Sequence, residues 1–238
     1  MARFFVSSRE LEAEQIFLTG ENAQHMKVLR LKPGEEVLLC DGAGREARCV
    51  LEGEGLRVLE RRASAAEAAV AVSVYLAFPK ADKLEHVIQK ATELGAVEIV
   101  AFPTSRCVSR PDEKSLQKKL DRWQKIALSA AGQSGRGVIP KVLVLGSYAE
   151  ALRRAAQADR GLLFYENEHA VTLKMALSEK PYRSVALLTG PEGGLSEEEV
   201  AQAREAGLTV CTLGRRILRC ETAPLCALSA VMYDAGEF

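Results

Sequence analysis

Leu187-Leu188-Thr189-Gly190-Pro191-Glu192-Gly193-Gly194-Leu195-Ser196-Glu197-Glu198-Glu199 joins an apolar run, a glycine-rich turn and a helix start without a break. The apolar residues before Gly190 predict a buried strand. Three glycines around Pro191 permit backbone conformations, and a closeness of approach by a ligand, that side chains would block. Ser196 with Glu199 three residues later is a capping box, so a helix begins there. The loop lacks the Gly-Lys-Ser/Thr ending of a nucleoside-triphosphate loop. A tight strand-to-helix turn accounts for the same residues, so the stretch by itself is a candidate site and no more.

A second stretch repeats the plan. After the apolar residues 210–213 come Gly214-Arg215-Arg216-Ile217-Leu218-Arg219-Cys220-Glu221-Thr222-Ala223, running into an Ala-rich apolar helix that ends near Tyr233. Between and before these stretches, strands are predicted near residues 72–78, 97–102, 142–145 and 162–165, with helices over 82–94 and 112–134. Strands alternating with helices make an α/β fold with a mainly parallel sheet covered on both faces. Ligands in such sheets bind beyond the carboxyl ends of the strands.

The first seventy residues follow another rhythm. Short strands are predicted near 4–6, 15–18, 37–40, 47–51 and 56–59, with one helix over 21–31 closed by Pro33-Gly34. Strands at such close intervals suggest a small β-barrel. Gly42-Ala43-Gly44 superficially resembles a dinucleotide-binding fingerprint, but the alternating residues 45–51 predict a strand where that motif needs a helix. Asp41-Gly42-Ala43-Gly44 is therefore read as a hairpin turn. Residues 62–69 are small and polar and suit a linker, which divides the chain into domains 1–70 and 71–238.

Composition narrows the classes. The 32 Lys and Arg balance 32 Asp and Glu, so contact with nucleic acid must come from local clusters. The six cysteines show no paired spacing, which predicts reduced thiols rather than disulfides or zinc. No metal is expected. The opening residues lack the apolar core of a signal peptide, and no run approaches the roughly 18 apolar residues of a membrane span. The expected location is the cytoplasm, with no membrane association.

Taken together, the motifs resemble a known family. Gly190-Pro191-Glu192-Gly193-Gly194-Leu195-Ser196, followed by Leu213-Gly214 and Arg216-Ile217-Leu218-Arg219 with Glu221-Thr222-Ala223, resembles the SPOUT (α/β-knot) methyltransferases. Within these, the chain is similar to the ribosomal RNA small subunit methyltransferase E family. His25-Met26-Lys27-Val28-Leu29-Arg30 with Pro33-Gly34 matches that family's N-terminal signature. Lys83-Leu84-Glu85, Gln89-Lys90-Ala91-Thr92-Glu93-Leu94-Gly95, Arg106-Cys107, Trp123-Gln124-Lys125-Ile126-Ala127 and Gln133-Ser134-Gly135-Arg136 with Pro140 match further segments. One departure stands out: Gly132 occupies a position where the family usually has an acidic residue.

The resemblance implies a trefoil-knotted α/β domain behind a PUA-like β-barrel. It implies S-adenosylmethionine held by three loops, carrying Leu163 and Tyr165; Thr189, Gly190, Glu192, Gly193 and Gly194; and Leu213, Gly214, Ile217, Leu218, Thr222 and Ala223. It implies a homodimer in which the partner chain completes each site, and methylation of N3 of a uridine in 16S ribosomal RNA on the assembled small subunit. The imide proton at N3 must be removed or the resulting anion stabilised. Arg219 is the first candidate for that stabilisation, followed by Arg106 and Arg136. Glu221 is either a general base or a carboxylate that holds an arginine. Lys27, Arg30, Lys118 and Arg122 are candidate RNA contacts, although the lysine-rich face of helix 112–134 reads equally as solvated surface. A non-catalytic RNA-binding assembly factor, or a related methyltransferase acting on another RNA, remains as the alternative.

Overall fold

The computed structural model describes residues 1–178 and 181–238, with the side chain of Glu113 outside the description. Two compact units form. The first is Met1–Glu67 with Ala131–Ile139, and the second is Ala68–Ala130 with Pro140–Phe238.

In the first unit, β1 (Ala2–Phe5), α1 (Ser8–Leu11), β2 (Gln15–Ile16), α2 (Gly20–Val28), β3 (Glu36–Cys40), β4 (Arg45–Glu52) and β5 (Gly55–Ala63) follow in sequence. The strands make one sheet in the order β1-β3-β4-β5-β2, with only the β1–β3 pair parallel. Period-two alternation turns Ala47, Cys49 and Leu51 of β4 inward, onto Phe4, Leu11, Ile16, Val37, Leu39 and Leu56. The Asp41-Gly42-Ala43-Gly44 turn does join two antiparallel strands. Asp41 Oδ1 accepts from the backbone N–H of Ala43 and Arg45, and Gly42 and Gly44 take φ values of 73° and 102°. The sequence reading contained no counterpart of α1, which is a single turn held by a Ser7–Glu10 capping box.

The structure adds detail to two sequence expectations. A single cut at residue 70 assigns residues 131–139 to the second domain, whereas they pack in the first unit. The expected linker is also more than a spacer, because β5 runs on to Ala63 and Glu67 anchors the returning segment. Glu67 Oε2 accepts from Arg136 Nη2 at 2.8 Å, and Glu67 Oε1 accepts from the backbone N–H of Gly137 and Val138 at 2.8 and 2.9 Å. Arg136 is 3% exposed, and a buried guanidinium requires such a partner.

The second unit begins with β6 (Ala71–Ala77), α3 (Lys83–Glu93), β7 (Glu98–Phe102), α4 (Glu113–Ser134, its last turn counted with the first unit), β8 (Lys141–Val144) and α5 (Tyr148–Ala155). It continues with β9 (Arg160–Phe164), α6 (Leu173–Ala176), β10 (Ser184–Thr189), α7 (Glu197–Glu205), β11 (Thr209–Cys211) and α8 (Thr222–Asp234). Its six strands lie in the order β11-β9-β10-β6-β7-β8, and every pairing is parallel. The central strand β10 buries Val185, Ala186, Leu187 and Leu188, each large side chain stabilising the fold by about 1.5–3 kcal/mol. Leu84, Val87, Ile88 and Ala91 of α3 form the buried stripe that their spacing predicts. Among the described residues no helix is long and apolar enough to cross a membrane. All six cysteines are free thiols.

Candidate active site

Three strands that are neighbours in the second unit's sheet, β11, β9 and β10, run parallel, so their carboxyl ends open on one edge. That is the edge on which open α/β sheets bind ligands. A cavity of about 410 Å³ lies there, within the ~300–1,000 Å³ typical of small-molecule sites. Phe164, Tyr165, Glu166 and His169 line it after β9, residues 189–192 with Gly194 and Leu195 after β10, and residues 212–220 with Ala223 after β11. Lys83, at the start of α3, contributes the remaining wall.

The loop after β10 leaves little room for side chains at its glycines. A Cβ on Gly190 would stand 3.0 Å from Leu195 Cγ and 3.2 Å from the backbone carbon of Gly194. Gly194 has a φ of +67°, and a Cβ there would run into the Glu166 carboxylate. Gly193 faces the other way: its missing Cβ makes room for Arg106, whose Nη1 donates to the Gly193 carbonyl at 3.1 Å. Behind the loop, the expected capping box is present and does more than cap. Glu199 Oε2 accepts from Ser196 N at 2.9 Å while its Oε1 accepts from Ser105 N at 2.7 Å, tying α7 to the segment after β7.

A charged cluster forms one wall. Lys83 Nζ lies 3.0 Å from Glu192 Oε1 and 3.2 Å from Glu221 Oε2, so one ammonium links the loops after β10 and β11. Glu192 Oε1 also accepts from Lys80 N at 3.0 Å. Burial opposes ionisation of Glu192, but the Lys80 N–H and the Lys83 ammonium outweigh it and hold its pKa down at about 2. Glu221 is lowered too: burial opposes, while backbone, Cys220 and Lys83 hydrogen bonds prevail. Burial and the hydrogen bond to Glu221 push the Cys220 thiol up to about 12, so it stays protonated and donates to Glu221 Oε2 at 3.3 Å.

The Glu192 value carries a pH signature. Its folded pKa lies below its ordinary 4.5, so its ionisation contributes stability above about pH 4.5 that is lost as the pH falls toward 2. Glu192→Gln is therefore expected to melt below wild type at neutral pH, with the gap closing between pH 4.5 and 2. Parallel thermal melts across that range check this; a gap of constant size would show that the carboxylate charge plays no part.

The structure gathers most of the expected site residues and separates others. Tyr165, Thr189, Gly190, Glu192, Gly194, Leu213, Gly214, Ile217, Leu218, Arg219 and Ala223 line the cavity. Leu163 is fully buried in β9 and supports the cavity from behind. Gly193 packs on Arg106, and Thr222 begins α8 outside the lining. Glu221 holds a lysine rather than an arginine. Arg136 is in the first unit, paired with Glu67. Arg219 is exposed at the cavity with no side-chain partner among the described residues. Lys27 and Arg30 are exposed, as is Lys118, whereas Arg122 donates to Glu85 at 2.7 Å and its neighbour Trp123 is buried. Sequence reasoning missed Lys83, Glu166, His169 and Cys220 as lining residues. The strand-end rule pointed at the segment after β9, but only the fold brings α3 beside it.

A family model for an RNA methyltransferase domain matches residues 66–232, and one for an RNA methyltransferase PUA domain matches residues 18–57. Ribosomal RNA small subunit methyltransferase E of Bacillus subtilis is 37% identical over 98% of this chain and 97% of its own. The protein of the same name in Mycobacterium tuberculosis is 37% identical over 96% and 90%. The crystal structure of the Neisseria gonorrhoeae protein of that name bound to S-adenosylmethionine superposes with a TM-score of 0.84, at 32% identity, over 98% of this chain and 97% of that one. With an RNA methyltransferase domain matched over most of its length and such relatives matched from end to end, the chain belongs to the ribosomal RNA small subunit methyltransferase E family.

Proposed function

We propose that this protein transfers a methyl group from S-adenosylmethionine to N3 of a specific uridine in 16S ribosomal RNA, acting on the assembled small subunit as a homodimer. The observation that carries the reading is Arg219, an arginine with no side-chain partner among the described residues, at the rim of a glycine-walled cavity of cofactor size. The cavity fits the cofactor chemically. The glycine loop offers backbone groups at close range, and the mixed charges of Lys83 and Glu192 suit a zwitterionic amino-acid end. Bound there, S-adenosylmethionine supplies a methyl group on a positively charged sulfur, and transfer to nitrogen leaves a neutral thioether.

The chain's own residues supply the rest. Arg219 presents N–H donors to the uracil oxygens and stabilises the uracil anion formed when the N3 proton passes to solvent water, so that N3 takes the methyl as the S–CH3 bond breaks. Arg106, hydrogen-bonded to Gly193, steadies the loop that fixes the cofactor. Glu221, ionised and held by Lys83, keeps α8 and the β11 loop in place rather than taking the proton, because a carboxylate of lowered pKa is a weak base at neutral pH. A uridine in folded RNA must leave its stack to reach such a cavity. Lys27, Arg30 and Lys118 offer exposed cations for phosphates, each making binding more salt-sensitive.

The test is transfer of labelled methyl from S-adenosylmethionine to small subunits that lack base methylation, mapped by mass spectrometry. Label at N3 of one uridine is expected. Label on a ribose or another base would overturn the N3 reading, and cofactor binding without transfer to small subunits would overturn the proposed substrate.

A further inference from the structure

We infer that Glu166 is a cofactor-recognition residue that accepts hydrogen bonds from the two ribose hydroxyls of the bound nucleoside. This deepens the S-adenosylmethionine reading above and rests on it. Glu166 follows β9 and lines the cavity. The other carboxylate lining the cavity, Glu192, is occupied by Lys80 N and Lys83 Nζ, and Glu221, beside the lining, by Lys83 Nζ and the Cys220 thiol. Among the described residues no donor reaches the Glu166 side chain, so both its oxygens are free to accept.

The Glu166 carboxylate also lies against the glycine loop. Its Oε1 occupies the volume that a Cβ on Gly194 would need, at a residue whose φ of +67° already favours glycine. The carboxylate thus borders the backbone of the glycine loop while remaining exposed to solvent. Two acceptor oxygens with no partner among the described residues, on the wall of a nucleoside-sized cavity, match a pair of adjacent O–H donors. The vicinal diol of a ribose is such a pair, and a carboxylate near the end of a parallel strand meets the ribose in dinucleotide-binding folds. The amino-acid end of the ligand has its own match in Lys83 and Glu192, where both signs of charge line the cavity. That leaves the ribose for Glu166.

Three ligands separate the possibilities by calorimetry: S-adenosylmethionine, its demethylated product S-adenosylhomocysteine, and 5′-methylthioadenosine, which keeps the nucleoside but lacks the amino-acid end. Glu166→Gln and Glu166→Ala are expected to weaken all three by a common factor of about tenfold or more. Because the side chain is exposed, both variants should melt like wild type. A loss confined to S-adenosylmethionine would place Glu166 at the sulfonium. A loss sparing methylthioadenosine would place it at the amino-acid end. Unchanged affinity for all three would show no contact, and each of these results overturns the proposal. If wild type binds none of the three, the cofactor reading itself fails, which the wild-type titration alone reveals.

Discussion

Gly194→Val is expected to abolish binding of S-adenosylmethionine, lowering affinity at least about a hundredfold, while the protein stays folded. Two independent effects act at this position. The φ of +67° is reached without cost by glycine, whereas a Cβ there costs about 1–2 kcal/mol and a β-branched side chain is a genuine outlier. The new Cβ would also collide with Glu166 Oε1, so either the carboxylate or the loop must move. Both line the cavity, so relief on either side deforms the site. Gly194→Ala removes the β-branching and should lose less, and Gly193→Val should act indirectly, by displacing Arg106. Titration of each variant with S-adenosylmethionine, beside its circular dichroism spectrum, checks the order. Wild-type affinity in Gly194→Val would mean that the glycine loop is not the cofactor wall.

Arg219→Ala should separate chemistry from binding. We expect kcat for methyl transfer to fall by about 10²–10³, the effect of deleting one donor to a developing oxyanion, while the S-adenosylmethionine Kd changes less than about threefold. The guanidinium is exposed and has no side-chain partner among the described residues, so its loss removes no internal interaction that they show. Arg219→Lys keeps the charge but loses the planar fork of donors and should recover only part of the rate. Single-turnover transfer to small subunits gives the rate, and calorimetry gives the Kd. An unchanged kcat in Arg219→Ala would remove Arg219 from the catalytic machinery.

Both experiments probe loops that are legible in the sequence, and the reason is local. Gly190-Pro191-Glu192-Gly193-Gly194 and the Ser196–Glu199 capping box encode a strand-turn-helix within a few residues. The same holds for the amphipathic stripe of α3, the turn at residues 41–44 and the alternation of β4, where neighbours three, four or two residues apart share a face. Strands alternating with helices are enough to derive a parallel sheet, and the strand-end rule then indicates which loops carry the site.

The features the sequence could not disclose all depend on partners far apart along the chain. Arg136 is a candidate through the resemblance of Gln133-Ser134-Gly135-Arg136 to a family motif, and that motif gives no hint of its partner, Glu67, 69 residues earlier. By sequence Glu221 suits a base and an arginine clamp equally well, and Lys83 settles its partner only because the parallel order β9-β10-β6 brings the start of α3 beside the loops after β10 and β11. Glu166 carries no motif at all, and its place against Gly194 exists only once β9 and β10 lie side by side. Sequence determined most of the elements, the fold class and the loops that line the cavity, since periodicity and turn stereochemistry are short-range. Tertiary structure decided which charges meet, since a side chain's electrostatic partner is set by strand order rather than by spacing along the chain.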